Sequence, residues 1–237
     1  IKRSLAPRDW AALYQQNPQV EEGAYFQKKY VRMYADSAPP YMDIFCAGDL
    51  AISKQDHADW SVFLVGGLDE SGNVYMLEEY RGRWDSSEII EVMFEIHRDH
   101  HPRHFGLEKG QISLTMDAFL QRRIKEEKLY DLHIEELPPG KQDKELRARA
   151  IQGLMSCGQV YWPEGALWVD DYLNEMLRFP TGVKNDRVDA AAWLGKMIAA
   201  RSYVGTGIPK GPDKKSWKKK LAGYVKGYKD TGGAMSA

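Results

Sequence analysis

Three apolar runs with strand character follow one another early in the chain: Asp43–Leu50, Trp60–Leu68 and Val74–Tyr80. The last two are separated by the polar turn Asp69-Glu70-Ser71-Gly72-Asn73, and such short connections predict an antiparallel meander. The period then changes. Asp85-Ser86-Ser87-Glu88 offers a helix N-cap with an acidic residue three positions on, and Ile89, Ile90, Met93, Phe94 and His97 follow at helical spacing. Further along, the pattern predicts a buried strand at His104–Glu108, a helix over Ser113–Lys128 and a strand at Leu132–Leu137. A charged helix over Lys141–Met155 and a brief strand at Gln159–Trp162 come next. The helices Trp168–Leu177 and Asn185–Ala200 close the pattern, the last rich in alanine. Three strands, then alternation, then helices describe an α/β fold: a mixed sheet of about five main strands, with helices on both faces. No internal repeat interrupts it.

Outside this core the pattern weakens. Residues 1–40 are polar and irregular apart from an amphipathic stretch around Trp10, Leu13 and Tyr14, and they end on Ser37-Ala38-Pro39-Pro40. They read as a lead-in, with the folded domain over 41–202 and a flexible basic tail over 203–237. A length of 237 residues, 43% hydrophobic, suits one domain. The chain opens at Ile1, which leads us to expect a piece of a longer protein. Cys46 and Cys157 are too few for a disulfide framework, so a reducing compartment is expected. No apolar run approaches the roughly 20 residues that span a bilayer.

Charge changes the picture more. Residues 201–237 carry nine Lys or Arg against Asp213 and Asp230, a net +7, so within a chain of −1 the remainder holds −8. A cationic tail suits a polyanion or an acidic partner. An acidic core makes sense where several carboxylates gather around metal ions. Asp49 ends the first strand and Glu108 ends the short buried one, while Asp186 and Asp189 lie i, i+3 at the start of the last helix, on one face. Taken singly, each could be a turn former or a helix-start acid. Together they offer the hard oxygen ligands that Mg²⁺ or Mn²⁺ prefers, and two such ions can hydrolyse a phosphodiester.

The order of these carboxylates is similar to that of ribonuclease H-like nucleases, and the surrounding residues resemble terminase large subunits, the motors that package tailed-phage DNA. The resemblance rests on Arg8-Asp9-Trp10 through Asn17-Pro18 with Glu21-Glu22-Gly23, on Asp49-Leu50-Ala51 with Asp59-Trp60-Ser61, and on Glu108. It continues through Lys141, Lys144 and Arg147-Ala148, Gly158-Gln159-Val160-Tyr161 with Pro163, Phe179-Pro180, and Asn185-Asp186-Arg187-Val188-Asp189-Ala190. It covers about residues 8–200. Asn185 stands where the family often has the first of two acids, which makes Asp186 the first choice for the third metal ligand and Asp189 the alternative.

The resemblance implies a nuclease domain that uses two Mg²⁺ or Mn²⁺ ions at Asp49, Glu108, Asp186 and Asp189 to cut concatemeric double-stranded DNA at the start and end of packaging. It also implies a larger parent protein with an N-terminal ATPase; no phosphate-binding G-x-x-x-x-G-K-[ST] loop is present in this stretch, which is therefore not expected to hydrolyse ATP. Portal protein and small terminase subunit are the implied partners, the host cytoplasm the implied place, and a monomer the expected state of the domain alone. Lys141, Lys144 and Arg147, with Lys214, Lys215, Lys218, Lys219 and Lys220 of the tail, are candidate DNA contacts. A junction resolvase or transposase relative, or a non-catalytic DNA- or portal-docking module, is the competing reading. The clustered His97, His100, His101 and His104 suggest zinc, but Pro102 interrupts them and no cysteine is near.

Overall fold

The computed structural model describes residues 25–51, 59–112, 114–138, 144–182 and 184–205. After a single 3₁₀ turn at Lys28–Tyr30 come the strands β1 (Arg32–Tyr34), β2 (Asp43–Asp49), β3 (Ser61–Leu68), β4 (Val74–Gly82), β5 (His104–Glu108), β6 (Ile134–Leu137) and β7 (Val160–Pro163). The helices are α1 (Ser86–His100), α2 (Leu114–Glu127), α3 (Lys144–Ser156), α4 (Val169–Arg178) and α5 (Asp186–Gly205). One seven-stranded sheet runs in the order β1-β7-β4-β3-β2-β5-β6. The central β2-β3-β4 meander is antiparallel, β5 and β6 extend it in parallel beyond β2, and β7 and β1 extend it in parallel beyond β4.

The mixed sheet and its helix-covered faces agree with the expectation from the sequence; the strand count does not. Seven strands replace the expected five or so, and β1 lies inside the stretch read as a lead-in. Phe26 is fully buried, its ring packs on Phe179, and the Tyr25 hydroxyl donates to the Glu145 carbonyl. Residues 25–34 are therefore part of the folded domain. A three-residue strand is too short to show alternation, and its ladder partner β7 lies more than 100 residues away. The motif-bearing residues 8–23, Lys141 and the tail lysines Lys214, Lys215, Lys218, Lys219 and Lys220 lie outside the described residues.

Two apolar layers sandwich the sheet. On one face Cys46, Phe63, Phe105 and Leu107 meet Ile89, Ile90, Met93 and Phe94 of α1 and Leu120 and Ile124 of α2. On the other, Phe45, Ala47, Leu64 and Met76 meet Ala148 and Ile151 of α3, Tyr172 and Met176 of α4, and Ala190, Trp193 and Leu194 of α5. The entry to α1 is capped as its sequence predicts: Asp85 Oδ1 accepts from the backbone N–H groups of Ser87 and Glu88, and the Glu88 carboxylate accepts from the Asp85 N–H, all at 2.9 Å.

Two glycines set how closely α5 lies. A Cβ at Gly106 of β5 would stand 2.4 Å from the Met197 sulfur, so α5 rests on bare backbone there. A Cβ at Gly195 would stand 2.8 Å from the Ile151 backbone nitrogen, so α3 and α5 cross almost backbone to backbone. Gly195→Ala would raise helix propensity by about 1 kcal/mol, but the clash is with main chain that cannot swing aside. The expected net result is a loss of about 1–3 kcal/mol in urea denaturation. A variant as stable as the wild type would show that the two helices are not in this contact.

Candidate active site

The sheet register gathers the first two carboxylates. β2 and β5 are parallel neighbours paired from Phe45–His104 to Gly48–Leu107, so Asp49 and Glu108 are the next residues at adjacent strand ends. Strand alternation turns both toward the same side: Asp49 follows Phe45 and Ala47 of the α3–α5 face, and Glu108 follows Gly106, which faces Met197 of α5. The first turn of α5 supplies Asp186 and Asp189.

These four are not equally placed. Asp189 is 7% exposed and lies at the centre of the cluster. Its two oxygens accept from Arg147 at 3.1 Å and from Lys144 at 2.7 Å, while the other arm of Arg147 donates to Glu108 at 3.3 Å. Gln111 donates to Asp49 at 2.7 Å. Asp186 sits at the rim, one oxygen accepting from the Trp60 backbone N–H at 3.3 Å. The preference for Asp186 over Asp189 that the sequence suggested is thus the reverse of how the structure groups them. The oxygens of Asp49, Glu108 and Asp189 do not all fall within 4.8 Å of one another; Arg147 bridges two of the three.

Electrostatics ties the group together. Burial pushes the Asp49 carboxyl up to about 6, and the charges of Asp189, Asp186 and Glu108 push the same way against the Gln111 hydrogen bond. Burial also raises Asp186, with Asp59 adding to it and Arg81 and Lys184 opposing. Lys144 is held above its ordinary range because its contact with Asp189 outweighs its desolvation. Asp49, Glu108 and Asp189 thus face two close cations, a deficit of positive charge that divalent ions would fit. The donor set is entirely oxygen, as Mg²⁺ and Mn²⁺ require.

What places the α5 end of the site is an ion pair that the sequence motifs did not single out. Arg187 donates twice to Glu79 of β4, at 2.6 and 2.9 Å, and its own N–H donates to Glu175 of α4 at 2.8 Å. The Tyr172 hydroxyl donates to the Arg187 carbonyl at 2.5 Å. Asn185, whose carbonyl accepts the first helical bond, leaves its side-chain oxygen without a partner among the described residues, so Glu175 serves the helix start instead. Glu79 can face Arg187 because of the register shift at Val65/Gly66, which breaks strict alternation between Met76 and Glu79. The available clue was Arg187 itself, a cation in the first turn of a helix, where the dipole disfavours it.

Lys144 and Arg147, read as DNA contacts, pair with the carboxylates: Arg147 is largely buried between Glu108 and Asp189, and Lys144 reaches Asp189 from a half-exposed position. The histidines separate: His100 meets Glu78 at 3.0 Å, and His104 meets Asp43 and Glu135, both at 3.3 Å. His97 and His101 come together with Asp131, their ligand atoms within 4.8 Å of one another. This trio lies at the end of α1, on the opposite face of the sheet from α5.

Two measurements probe this geometry. Asp49 is more easily protonated folded than unfolded, so its contribution to stability is fully present below about pH 4 and is lost as pH rises through about 6. Asp49→Asn should therefore gain stability relative to wild type between pH 4 and pH 8 in chelator, read by urea denaturation; an unchanged difference at both ends would contradict a raised Asp49. Arg187→Ala leaves Glu79 buried without its partner and should cost about 3–5 kcal/mol in the same assay. A loss under about 1 kcal/mol would mean the pair is open to water.

No protein-family model matches the sequence, and comparison with curated proteins gives no match. Solved structures do resemble it. The P22 large terminase nuclease domain aligns with a TM-score of 0.51 at 9% identity, covering 73% of this chain and 89% of that one. The nuclease domain of the Thermus phage P74-26 large terminase gives 0.46 at 16% identity, over 69% and 89%. Thermus thermophilus RuvC in complex with a Holliday junction gives 0.40 at 10% identity, over 67% and 96%. With its mixed sheet, its strand order and this likeness, the chain shares the fold of the P22 large terminase nuclease domain.

Proposed function

We propose that this chain is a divalent-metal-dependent endonuclease, the DNA-cutting domain of a viral packaging terminase large subunit. The observation that carries the reading is the convergence of Asp49 of β2, Glu108 of β5 and Asp189 of α5 on one partly buried spot, with Asp186 at its rim. A binding module gains nothing from crowding like charges until one of them titrates near neutral pH. A phosphodiesterase gains the means to hold cations against a phosphate.

Asp49, Glu108 and Asp189 would hold two Mg²⁺ or Mn²⁺ ions, with Asp186 acting from the side. When bound, such ions activate the attacking water and neutralise the leaving oxygen. The residues of the chain do the rest. Gln111 orients Asp49, while Lys144 and Arg147 hold Asp189 and Glu108 in line. The Arg187 anchor holds the first turn of α5 in place. Hydrolysis would leave 5′-phosphate and 3′-hydroxyl ends. Double-stranded viral DNA is the proposed substrate, in the host cytoplasm, with portal and small subunit as partners of the parent motor.

Plasmid cleavage by the chain with Mg²⁺, with Mn²⁺ and with chelator tests this. Nicking and linearisation should need metal and vanish in Asp49→Ala. Asp189→Asn should also abolish cutting, whereas Asp186→Asn should slow it about 10–100-fold, as an outer-shell partner does. A folded wild type that binds DNA but cuts with neither metal would favour the docking module. Preferential cutting of a four-way junction would favour a resolvase.

A further inference from the structure

Across the sheet from the carboxylates, α1 ends in two histidines at i, i+4 spacing. His97 lies in the last turn of the helix, and the backbone N–H of His101 closes that turn on the His97 carbonyl at 3.0 Å. Closing it this way brings the two imidazoles together on one side of the helix end. Their ring centroids are 5.6 Å apart at an interplanar angle of 73°, edge to face and not stacked. A third neighbour comes from a different part of the chain. Asp131, between α2 and β6, meets the His97 Nε2 with its Oδ1 at 3.2 Å. The run of histidines could not announce it, because β5 and α2 intervene. The rest of that run is committed elsewhere: His100 to Glu78, and His104 to Asp43 and Glu135.

We propose that His97, His101 and Asp131 bind a divalent transition-metal ion of the zinc class, which ties the end of α1 to the segment between α2 and β6. One ligand atom from each residue lies within 4.8 Å of the other two. Around a zinc ion with bonds of about 2.0–2.2 Å, neighbouring ligand atoms stand roughly 3–4 Å apart, so small side-chain rotations close the site. Two imidazoles and a carboxylate suit zinc, whereas the all-oxygen set across the sheet suits Mg²⁺ or Mn²⁺. The two sites therefore differ in chemistry as well as in place. Burial is divided usefully among the three ligands. His97 is 3% exposed and fixes where the ion sits, while His101 and Asp131 are exposed and give it a way in, with water to complete the shell. The His97 Nε2 is the ring nitrogen turned outward, as its contact with exposed Asp131 requires. The Asp131 carboxyl is held below its ordinary range by its own backbone N–H and then by His97, so it is ionised at neutral pH. His101 has a φ of 46°, in the left-handed region where a helix end ordinarily carries glycine or asparagine. An imidazole is kept there at some backbone cost, and its ring is the one that completes the trio.

The test is calorimetric titration of the full 237-residue chain with zinc chloride, beside thermal melts with zinc and with chelator. His101→Asn and Asp131→Asn should each weaken one zinc by at least about tenfold. Asparagine accepts the left-handed backbone at position 101, so that variant should melt like wild type in chelator. His133→Asn, at an exposed histidine outside the trio, should bind zinc as wild type does. Asp49→Ala should also keep this zinc, because the carboxylate site lies on the opposite face of the sheet. A hundredfold excess of zinc over its Kd should raise the wild-type Tm by about 5 °C, and that of His101→Asn by less than about 1 °C. Wild-type affinity in both trio variants overturns the proposal, and so does a wild type that takes up no zinc. A zinc lost in Asp49→Ala but kept in the trio variants belongs to the carboxylates and overturns it as well. None of these readouts depends on DNA cleavage, so the nuclease reading and this site stand or fall separately.

Discussion

The first turn of α5 must sit against the open ends of β2 and β5, and the Arg187–Glu79 pair is what puts it there. Arg187 occupies a helix start, where its own charge opposes the dipole, and it is tolerated because two buried carboxylates from β4 and α4 take up that charge. The bare backbone at Gly106 lets the helix come down onto the sheet, and Gly195 lets α3 come down onto the helix. α3 then brings Lys144 and Arg147 alongside Asp189. Removing the pair would leave the apolar layer intact but release the turn from which both Asp186 and Asp189 project. Placement of the site is thus a consequence of one buried ionic contact and two close approaches.

The arrangement also accounts for the acidic balance of the chain outside its tail. Carboxylates are concentrated where strand ends and a helix start meet, and two cations of α3 are paired with them, Arg147 largely buried and Lys144 half exposed. Asp49 has no such cation of its own, only the Gln111 amide, and it is the carboxylate whose titration moves up to about 6. A site in this state is short of positive charge. Proteins meet that shortage either with further Lys and Arg or with bound cations, and the all-oxygen donor set favours the second.

Much of the fold was legible in the sequence because it is written in local patterns. The meander, the capping box at Asp85, the short buried strand ending in Glu108 and the alanine-rich last helix each depend on residues within a few positions of one another. β1 was not legible: three residues carry no period, and its partner β7 lies well over 100 residues on. The candidate carboxylates were legible as acids at element ends. Their ranking was not, because whether Asp186 or Asp189 enters the cluster depends on how α5 is rotated against β4.

By itself the sequence determined which residue types stand at the ends of which elements, and therefore that Asp49, Glu108, Asp186 and Asp189 were the acids to watch. Side-chain periodicity and capping act over one or two turns, so they survive in a linear reading. Only the tertiary structure decided that Lys144 and Arg147 are counterions, that Arg187 is an anchor, and that His97 and His101 meet Asp131. A charged side chain looks the same in sequence whether it faces solvent or a carboxylate 40 or 100 residues away. Its partner is chosen by the register of the sheet and the closeness of two helices, and those are set by packing across the whole domain.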